Sequence, residues 1–462
     1  MNTASESRIN FIIVGASVSG LASAIALKQA GHNVLVLEKD RQLGGVGSVP
    51  SGSGCAMMPP NACKIFIDWG LEAELHAKST HNAGMAVYKY DRDMFLGVNR
   101  WDPEMLQEAR GGYRQIEHRE LVRLLYDFAV RPSSGDAAPS LVTVVFGAEV
   151  VELDCNAASV TLRSGQVHKA DGIIGADGVN GIIRRALMEE EGVTPDEAET
   201  LTGMSVYNAS IPKAVAYENG LGFVCDFPHQ TCWTISGRGL RTFTLGKNED
   251  LALVLWTPDG AGDTPWTSAA QKKLTDVLGP HIDHVHKMAA LAGTATCIQI
   301  KEHYELESWI SESGRVLAIG DAAHPFAPGS MHAYSCSLED GVFVGTLFSH
   351  TRSASRVPQF FRAFQEHRET RCSRIQVGEK DLRELLCLPE GPAREAIETA
   401  LLASVNAGQE NTFEGNLESL LDDFREVFSY DASDDAQEWW MSWGRYGNAL
   451  GVTNGGERGS GF

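Results

Sequence analysis

The stretch from Ile9 to Asp40, INFIIVGASVSGLASAIALKQAGHNVLVLEKD, decides the fold of this chain. Its first apolar run, Phe11 to Val14, predicts a buried parallel strand. A helical pattern from about Gly20 to Ala30 predicts a helix, and Val34 to Leu37 predicts a second strand. A strand, a helix and a strand in this order form the βαβ unit that binds dinucleotides.

Each residue type in the glycine turn of this unit has a physical task. Gly15 permits a tight turn, Gly20 allows close packing of helix and strand, and amides at the helix start bind a pyrophosphate. Glu38 follows the second strand, where an acid bonds a ribose hydroxyl and disfavours a 2′-phosphate. Ser17 stands where GxGxxG has its middle glycine, and its Cβ crowds the approach to phosphate. We therefore predict a bound adenine dinucleotide.

Composition limits the class of protein. The chain has 462 residues, of which 43% are hydrophobic, so we expect two closely packed domains. A net charge of −21 argues against nucleic acid or an anionic membrane surface as a partner. Nine scattered cysteines without a CxxC pair indicate a reducing compartment. With no apparent signal peptide and no membrane span, we expect a cytoplasmic protein.

The rest of the chain divides by pattern. Alternating apolar residues predict a second, largely antiparallel sheet from 85–98 and 204–257, and 188–200 resembles a solvated connection. The Gly/Ser/Pro-rich segment after Glu38 is either a plain connection or a loop that folds over the cofactor. Helices are predicted over 61–75, 113–129, 358–386 and 392–428, and the end of the chain is predicted to be disordered.

Two further strand–turn patterns carry acids. Asp177 follows a short buried strand at 172–175, and Asp321 follows another at 316–319. Beside the first glycine turn, Asp321 is suited to bond the polyol that joins a flavin ring to its phosphates. Arg119, near a helix start, is either a surface charge or a fork-shaped donor for a pyrophosphate. Three histidines at 281, 284 and 286 lack a carboxylate or cysteine neighbour, so we predict no metal.

Together these motifs resemble the single-component FAD-dependent aromatic hydroxylases, the salicylate-hydroxylase-like class A flavoprotein monooxygenases. GASVSG with Glu38, ADGVNGIIR and GDAAHPFAP are similar to that family's three cofactor motifs, in the same order. HRELV, containing Arg119, and MPPNACKIF resemble two of its shorter motifs. The resemblance covers roughly residues 9–385.

The resemblance implies an α/β fold with a Rossmann-like FAD-binding domain, a smaller antiparallel-sheet substrate domain interleaved with it, and a helical C-terminal region. The implied boundaries are 1–84, 113–200 and 301–385 for the FAD-binding domain, 85–112 and 201–300 for the substrate domain, and 386–462 for the C-terminal region. The FAD contacts implied are Gly15, Ser17, Ser19, Gly20, Glu38, Lys39, Gly54, Arg119, Val150, Asp177, Asp321, Gly329, Ala333 and Tyr334.

The chain departs from the family pattern at three places. The loop Pro328 to Tyr334 replaces a glycine-rich GQG-type loop, whose amides meet the pyrimidine edge of the flavin in the family. Bulkier residues there are expected to shift the ring or close the front of the pocket. Gly181 replaces a usual serine, and Tyr207 with Asn208 stands where many relatives place a phenolate-steering arginine.

The resemblance implies that NAD(P)H reduces the flavin, that O₂ adds to form a C4a-hydroperoxide, and that one oxygen passes to a phenolic or aromatic-acid substrate. Candidate pocket residues are His332, Tyr207, His229 and Trp233; each is alternatively a packed core side chain. An epoxidase or hydroxylase of a prenylated or polycyclic metabolite, and a flavin-binding protein without oxygenase activity, remain alternatives. A monomer and a homodimer both fit.

Overall fold

The stretch Ile9–Asp40 folds as its pattern predicts. The computed structural model describes residues 8–43, 54–132, 140–258 and 270–446. Its first strand covers Asn10–Val14, the helix Val18–Gln29 and the second strand Asn33–Glu38. The first strand buries four of its five residues and the second buries three of six with the others half-buried, because the parallel sheet is covered on both faces.

The described residues contain nineteen strands and fourteen α-helices in chain order. The strands are β1 Asn10–Val14, β2 Asn33–Glu38, β3 Cys55–Met58, β4 Ser79–His81, β5 Gly84–Lys89, β6 Phe95–Arg100, β7 Arg114–Glu117, β8 Val142–Phe146, β9 Val150–Asp154, β10 Ser159–Leu162, β11 Val167–Lys169, β12 Gly172–Gly175, β13 Glu199–Ile211, β14 Gln230–Ile235, β15 Arg238–Leu245, β16 Asp250–Pro258, β17 Ala270–Lys273, β18 Thr294–His303 and β19 Val316–Ala318. The helices are α1 Val18–Gln29, α2 Pro60–Asp68, α3 Glu72–Lys78, α4 Pro103–Glu108, α5 His118–Ala129, α6 Ile182–Glu190, α7 Lys213–Glu218, α8 Gly222–Cys225, α9 Asp283–Ala292, α10 Ala333–Ser349, α11 Val357–Leu386, α12 Pro392–Asn406, α13 Glu418–Ser429 and α14 Ala432–Ser442.

The five-stranded sheet has the strand order of a Rossmann fold. Its order is β19-β12-β1-β2-β8, and every neighbouring pair is parallel. Counted along the chain, these strands are the fifth, fourth, first, second and third. The strand order therefore reverses between β1 and β12, and such a sheet binds ligands outside the carboxyl ends of its strands at this point.

A second, eight-stranded sheet has the order β17-β18-β13-β16-β15-β14-β5-β6. Its neighbouring strands are antiparallel, except that β14 and β5 are parallel. The chain enters this sheet at β5 and β6, returns to the parallel sheet, and comes back for β13 to β18. The predicted α/β fold, with an antiparallel-rich sheet interleaved with a parallel one, is confirmed.

The C-terminal helices pack on both parts of the molecule. Helix α12 lies against β6, α13 contacts α2, α4 and α11, and α14 packs on α10. Phe424 and Phe428 of α13 make edge-on contacts with the Trp101 ring, at 5.3 and 5.4 Å between centroids. The C-terminal region therefore covers one face of the eight-stranded sheet near its β6 edge.

The structure differs from the sequence prediction at three elements. Residues 114–117 form strand β7, paired with β3 and β4, and helix α5 begins only at His118. The helix predicted over 61–75 is split at Gly70, whose φ of 72° is left-handed. Part of 188–200 is regular, since α6 continues to Glu190 and β13 begins at Glu199. Residues 44–53 of the loop after Glu38 and the end of the chain from 447 lie outside the described residues.

Candidate active site

The turns after β1, β12 and β19 meet at the carboxyl edge of the parallel sheet. Gly15 has a φ of 102°, and a Cβ there would lie 2.4 Å from the Ala176 carbonyl oxygen. A Cβ on Gly20 would lie 2.2 Å from the Gly15 oxygen, and one on Gly320 would lie 2.5 Å from Ser19 Oγ. Glycine is therefore required where these turns touch.

Ser17 is accommodated in the first turn as a helix cap. Its hydroxyl accepts a hydrogen bond from the Gly20 amide at 3.2 Å and lies 3.1 Å from Ser19 Oγ. Its backbone is extended, as is usual for a residue that caps a helix start. The hydroxyl that replaces the middle glycine is thus held by the turn itself.

Glu38 is the last residue of β2 and lies at the same carboxyl edge of the parallel sheet. Its carboxylate accepts hydrogen bonds from the Ala16 amide at 2.8 Å and the Asp40 amide at 2.9 Å. The remaining oxygen lone pairs suit a ribose hydroxyl. Lys39 beside it is exposed, and Val150 is half-buried at the start of β9.

The predicted phosphate arginine, Arg119, is the second residue of helix α5. Arg119 donates to Glu117 Oε2 at 2.6 Å, and its side chain is 66% exposed. Gly54 lies directly against this helix start, because a Cβ on it would be 2.9 Å from His118 Cβ. The His118 ring lies 5.5 Å from the Tyr334 ring, so this helix start adjoins the loop before α10.

A buried charge network holds the turn after β19. Asp340 on α10 accepts hydrogen bonds from the Gly320 amide at 2.8 Å and from Arg368 Nε at 2.9 Å, and lies 2.7 Å from His324 Nε2. Asp321 itself is exposed at this turn, and desolvation by the surrounding protein raises the pKa of its carboxyl group. Sequence reasoning missed Asp340 and Arg368; an acid inside an otherwise apolar helix was the available signal.

Asp177 accepts a hydrogen bond from the helix that follows it, α6. Its Oδ2 accepts from the Ile183 amide at 3.1 Å at the start of α6, and burial raises its pKa to about 6. A Cβ on Gly181 would lie 2.1 Å from the Asp177 carboxyl carbon. Glycine replaces the usual serine there, and the carboxylate fills the space of that side chain.

The loop Pro328–Tyr334 leads into α10, a helix of seventeen residues that no side chain caps at its start. The amides at Ala333 and Tyr334 therefore lie at the positive end of the helix dipole. Gly329 has a φ of 86°, and a Cβ on it would lie 2.9 Å from the Trp256 ring. This loop thus rests directly on the eight-stranded sheet.

Met331 and His332 are both fully enclosed. Their amides donate to Glu379 Oε1 at 2.6 and 2.8 Å, which fixes the loop to α11. The Met331 side chain enters the cluster between the loop and the eight-stranded sheet. Burial lowers the pKa of His332 to about 3, and its Nδ1 has no hydrogen-bond partner among the described residues. His332 is therefore neutral near pH 7.

The other predicted pocket residues do not join His332. Tyr207 and Trp233 are buried on the opposite face of the eight-stranded sheet, where Trp233 Nε1 donates to Thr242 Oγ1 at 3.1 Å. His229 precedes β14 and packs on Phe227, 4.9 Å between ring centroids. Successive strand side chains alternate between faces, so Val206 rather than Tyr207 faces the loop.

Sequence reasoning also missed Arg241 on β15. This residue is 2% exposed, on the face that meets the loop, and its guanidinium lies 4.9 Å from the Trp256 ring centroid. Its Nη1 donates to the Gly329 oxygen at 3.3 Å. No arginine was expected on this strand, because the family pattern places one at the position of Tyr207 and Asn208 in β13. A charged residue inside an apolar alternating strand was the signal.

Metal ligands are sparse among the described residues. His281 Nε2 lies 3.1 Å from His286 Nδ1, and these histidines are not part of any group with metal-ligand geometry. The group that has such geometry is His324, Asp340 and Cys372. Arg368 donates to Asp340 at 2.9 Å and to Cys372 at 3.6 Å, so a guanidinium already supplies the cation there.

The residues at the carboxyl edge fit FAD. The glycine turns pack so closely that Cβ atoms would collide with their neighbours, no side chain caps the start of α10, and acidic acceptors stand at Glu38 and Asp321. In the described part of the chain, no helix combines the length and apolarity needed to cross a bilayer. The fold and this edge define a dinucleotide-binding protein.

Comparison with known proteins gives the family. Residues 8–375 match the FAD binding domain family model, FAD_binding_3, so the chain belongs to that family. It is 25% identical to the FAD-dependent monooxygenase atnJ of Arthrinium sp, covering 87% of this chain and 90% of that protein. It is 27% identical to hispidin-3-hydroxylase of Neonothopanus nambi, covering 79% and 86%.

A solved structure agrees with these relatives in fold. A salicylate hydroxylase substrate complex superposes with a TM-score of 0.71 at 19% identity, covering 94% of this chain and 98% of that one. The predicted resemblance to salicylate-hydroxylase-like flavoproteins is confirmed. The protein is an FAD-dependent monooxygenase.

Proposed function

We propose that the protein uses NAD(P)H and O₂ to hydroxylate a phenolic or aromatic-acid substrate. One observation carries this proposal: the loop before α10 is packed against a buried, aromatic-lined face of the eight-stranded sheet. An aromatic ring bound on that face would lie beside a flavin whose ring is at the start of α10. The relatives named for hispidin and salicylate hydroxylation support the same substrate class.

FAD bound at the carboxyl edge would supply the oxygen activation. The protein's own groups would bind it at Gly15, Glu38, Arg119, Asp321 and the α10 start. Trp101, stacked on Tyr113 at 5.3 Å, and the α13 phenylalanines exclude water from the inner face.

His332 is the proposed hydrogen-bond acceptor for a substrate hydroxyl. Its ring is neutral and its Nδ1 is buried without a partner among the described residues. A neutral imidazole nitrogen accepts a hydrogen bond from a phenol and favours its deprotonation. Tyr207 and Trp233 are not part of this proposal, because they lie on the other face of the sheet.

The cell compartment and the electron donor belong to the same proposal. All nine cysteines are free, which supports a reducing, cytoplasmic environment. A second nucleotide-binding turn is absent from the described residues, which supports transient binding of NAD(P)H in a shared cleft.

The test is a visible spectrum of the purified protein, followed by NADH and NADPH oxidation with a panel of phenols, hydroxybenzoates and larger prenylated or polycyclic phenols. We expect bound flavin and stimulation by a phenol or aromatic acid, with a hydroxylated product by mass spectrometry. Stimulation by the larger compounds alone would favour the alternative substrate class. Bound flavin with no stimulation and no product would contradict the proposal.

A further inference from the structure

The cluster between the loop and the eight-stranded sheet contains a buried charge without an ion pair. None of the ion pairs among the described residues includes Arg241, so no carboxylate of those residues lies within 4 Å of its guanidinium. Arg241 Nε, which is fully enclosed, has no hydrogen-bond partner in the described chain. An uncompensated buried charge is costly, so such a residue is normally paired.

Glu379 is the acidic group that faces Arg241. Its Oε1 is already engaged by the Met331 and His332 amides, at 2.6 and 2.8 Å. It lowers the cost of the buried guanidinium by charge alone, without a direct contact. Arg241 Nη1 donates to the Gly329 oxygen at 3.3 Å and the Cys232 thiol lies beside the guanidinium, but Nε and the remaining N–H groups make no bond to a charged acceptor and are left for one.

Strong donors in this cluster point at methionine sulfurs. Arg241 Nη1 lies 3.6 Å and Tyr113 Oη 3.5 Å from Met57 Sδ, and Gln230 Nε2 lies 4.0 Å from Met331 Sδ. A thioether sulfur is a weak acceptor, whereas guanidinium and phenol are strong donors. Methionine side chains are also flexible and readily moved. Two thioethers thus occupy positions where a better acceptor would bind.

We propose that Arg241 and Tyr113 bind an anionic oxygen of the substrate, a carboxylate or an ionised phenol or enol, which displaces the Met57 and Met331 thioethers. This inference rests on the proposed function, because it names the substrate class of that site. The Trp256 ring under the guanidinium, at 4.9 Å, provides a flat surface for the attached aromatic ring. Gln230 Oε1, buried without a partner in the described chain, would accept from a neighbouring hydroxyl.

The experiment is isothermal titration of the FAD-loaded protein with 2-hydroxybenzoate, 4-hydroxybenzoate and 4-hydroxy-6-methyl-2-pyrone. Each anion is paired with its neutral methyl ester or methyl ether. We expect at least one anion to bind, and its neutral partner to bind roughly tenfold or more weakly, since hydrogen bonds to charged groups contribute on that order. This comparison uses wild-type protein and needs no variant that folds.

Three variants locate the effect. Arg241→Gln should weaken anion binding roughly tenfold or more, Arg241→Lys should restore part of it, and Tyr113→Phe should weaken it less. Arg238→Gln is the matched control, since Arg238 is on the same strand but packs beside Gly279 on the opposite face. FAD content and melting temperature of each variant report its folding.

Two results would overturn the inference. One is that no anion of the panel binds wild-type protein. The other is that a neutral partner binds wild-type protein as tightly as its anion does, or that the anions bind Arg241→Gln as tightly as they bind wild-type protein. Failure of the proposed function looks different, because then no compound yields a hydroxylated product with NAD(P)H. Hydroxylation of neutral aromatics by both wild type and Arg241→Gln would retain the function and reject the anion site.

Discussion

Replacing Asp321 by alanine tests the assignment of the cofactor edge. The Asp321 side chain is exposed at the turn after β19, and its Oδ1 accepts only a long hydrogen bond, 3.5 Å, from the Phe326 amide. The turn itself is held by Asp340 and Arg368, not by Asp321. Alanine should therefore leave the fold unchanged and remove an acceptor for the flavin polyol.

The size of the effect follows from the interaction lost. Hydrogen bonds to a charged group contribute about 1.5–3 kcal/mol. Because about 1.4 kcal/mol is a factor of ten in affinity, Asp321→Ala should raise the Kd for FAD about 10- to 150-fold. Asp321→Asn retains an acceptor oxygen and should show a smaller loss.

The assay is titration of apoprotein with FAD, followed by quenching of flavin fluorescence, with melting temperature measured in parallel. Asp171→Ala is the matched control, because Asp171 bonds the Asn10 amide at 2.8 Å at the opposite edge of the same sheet. It should lower stability without changing FAD affinity. A wild-type Kd in Asp321→Ala would refute the placement of the cofactor.

Three further predictions concern the loop and the buried histidines. Met331→Gly removes the Met331 side chain from the cluster, so the ratio of product formed to NAD(P)H consumed should change. An unchanged ratio would place the loop away from the flavin ring. Glu379→Ala removes the acceptor of two loop amides and should raise the fraction of NAD(P)H that yields hydrogen peroxide, whereas Glu379→Gln, which keeps an amide oxygen, should do so less; equal effects would mean that the carboxylate does not hold the loop. Burial lowers the pKa of His118, His229 and His303 to about 4 and of His332 to about 3, so the unfolded chain takes up protons below pH 6.5 that the folded chain does not. These four histidines should lower the free energy of unfolding as pH drops from 6.5 to 4, against the opposite contribution of Asp177, whose pKa is raised to about 6. His332→Gln should reduce this slope by up to about 1.4 kcal/mol per pH unit in denaturant titrations, and an unchanged slope would contradict a buried neutral His332.

The sequence predicted the parts of the fold that depend on local pattern. The βαβ unit, the acidic turns and the alternating strands follow from periodicity and glycine placement, and the structure places Gly15, Glu38 and Asp321 as those patterns imply. Strand β7 was mistaken for helix because its apolar spacing suits both, and only pairing with β3 and β4 decides it.

The pocket was harder to predict because it depends on which face of a strand a residue occupies. Tyr207 and Trp233 differ from Arg241 only in the register of the eight-stranded sheet, and a shift of one residue exchanges the two faces. The structure places Arg241 toward the loop and Tyr207 away from it. Likewise, the bond from Asp340 to the Gly320 amide joins residues twenty positions apart, and no local pattern shows it.

We expect this FAD-dependent monooxygenase to place one atom of O₂ in the aromatic product that the proposed function implies. Turnover under ¹⁸O₂ with the most stimulating compound of the panel, followed by mass spectrometry of the product, tests it most directly. We expect a product heavier by one ¹⁸O atom, formed with consumption of NAD(P)H. Product that carries oxygen from water, or hydrogen peroxide as the sole fate of O₂, would contradict the proposed hydroxylation.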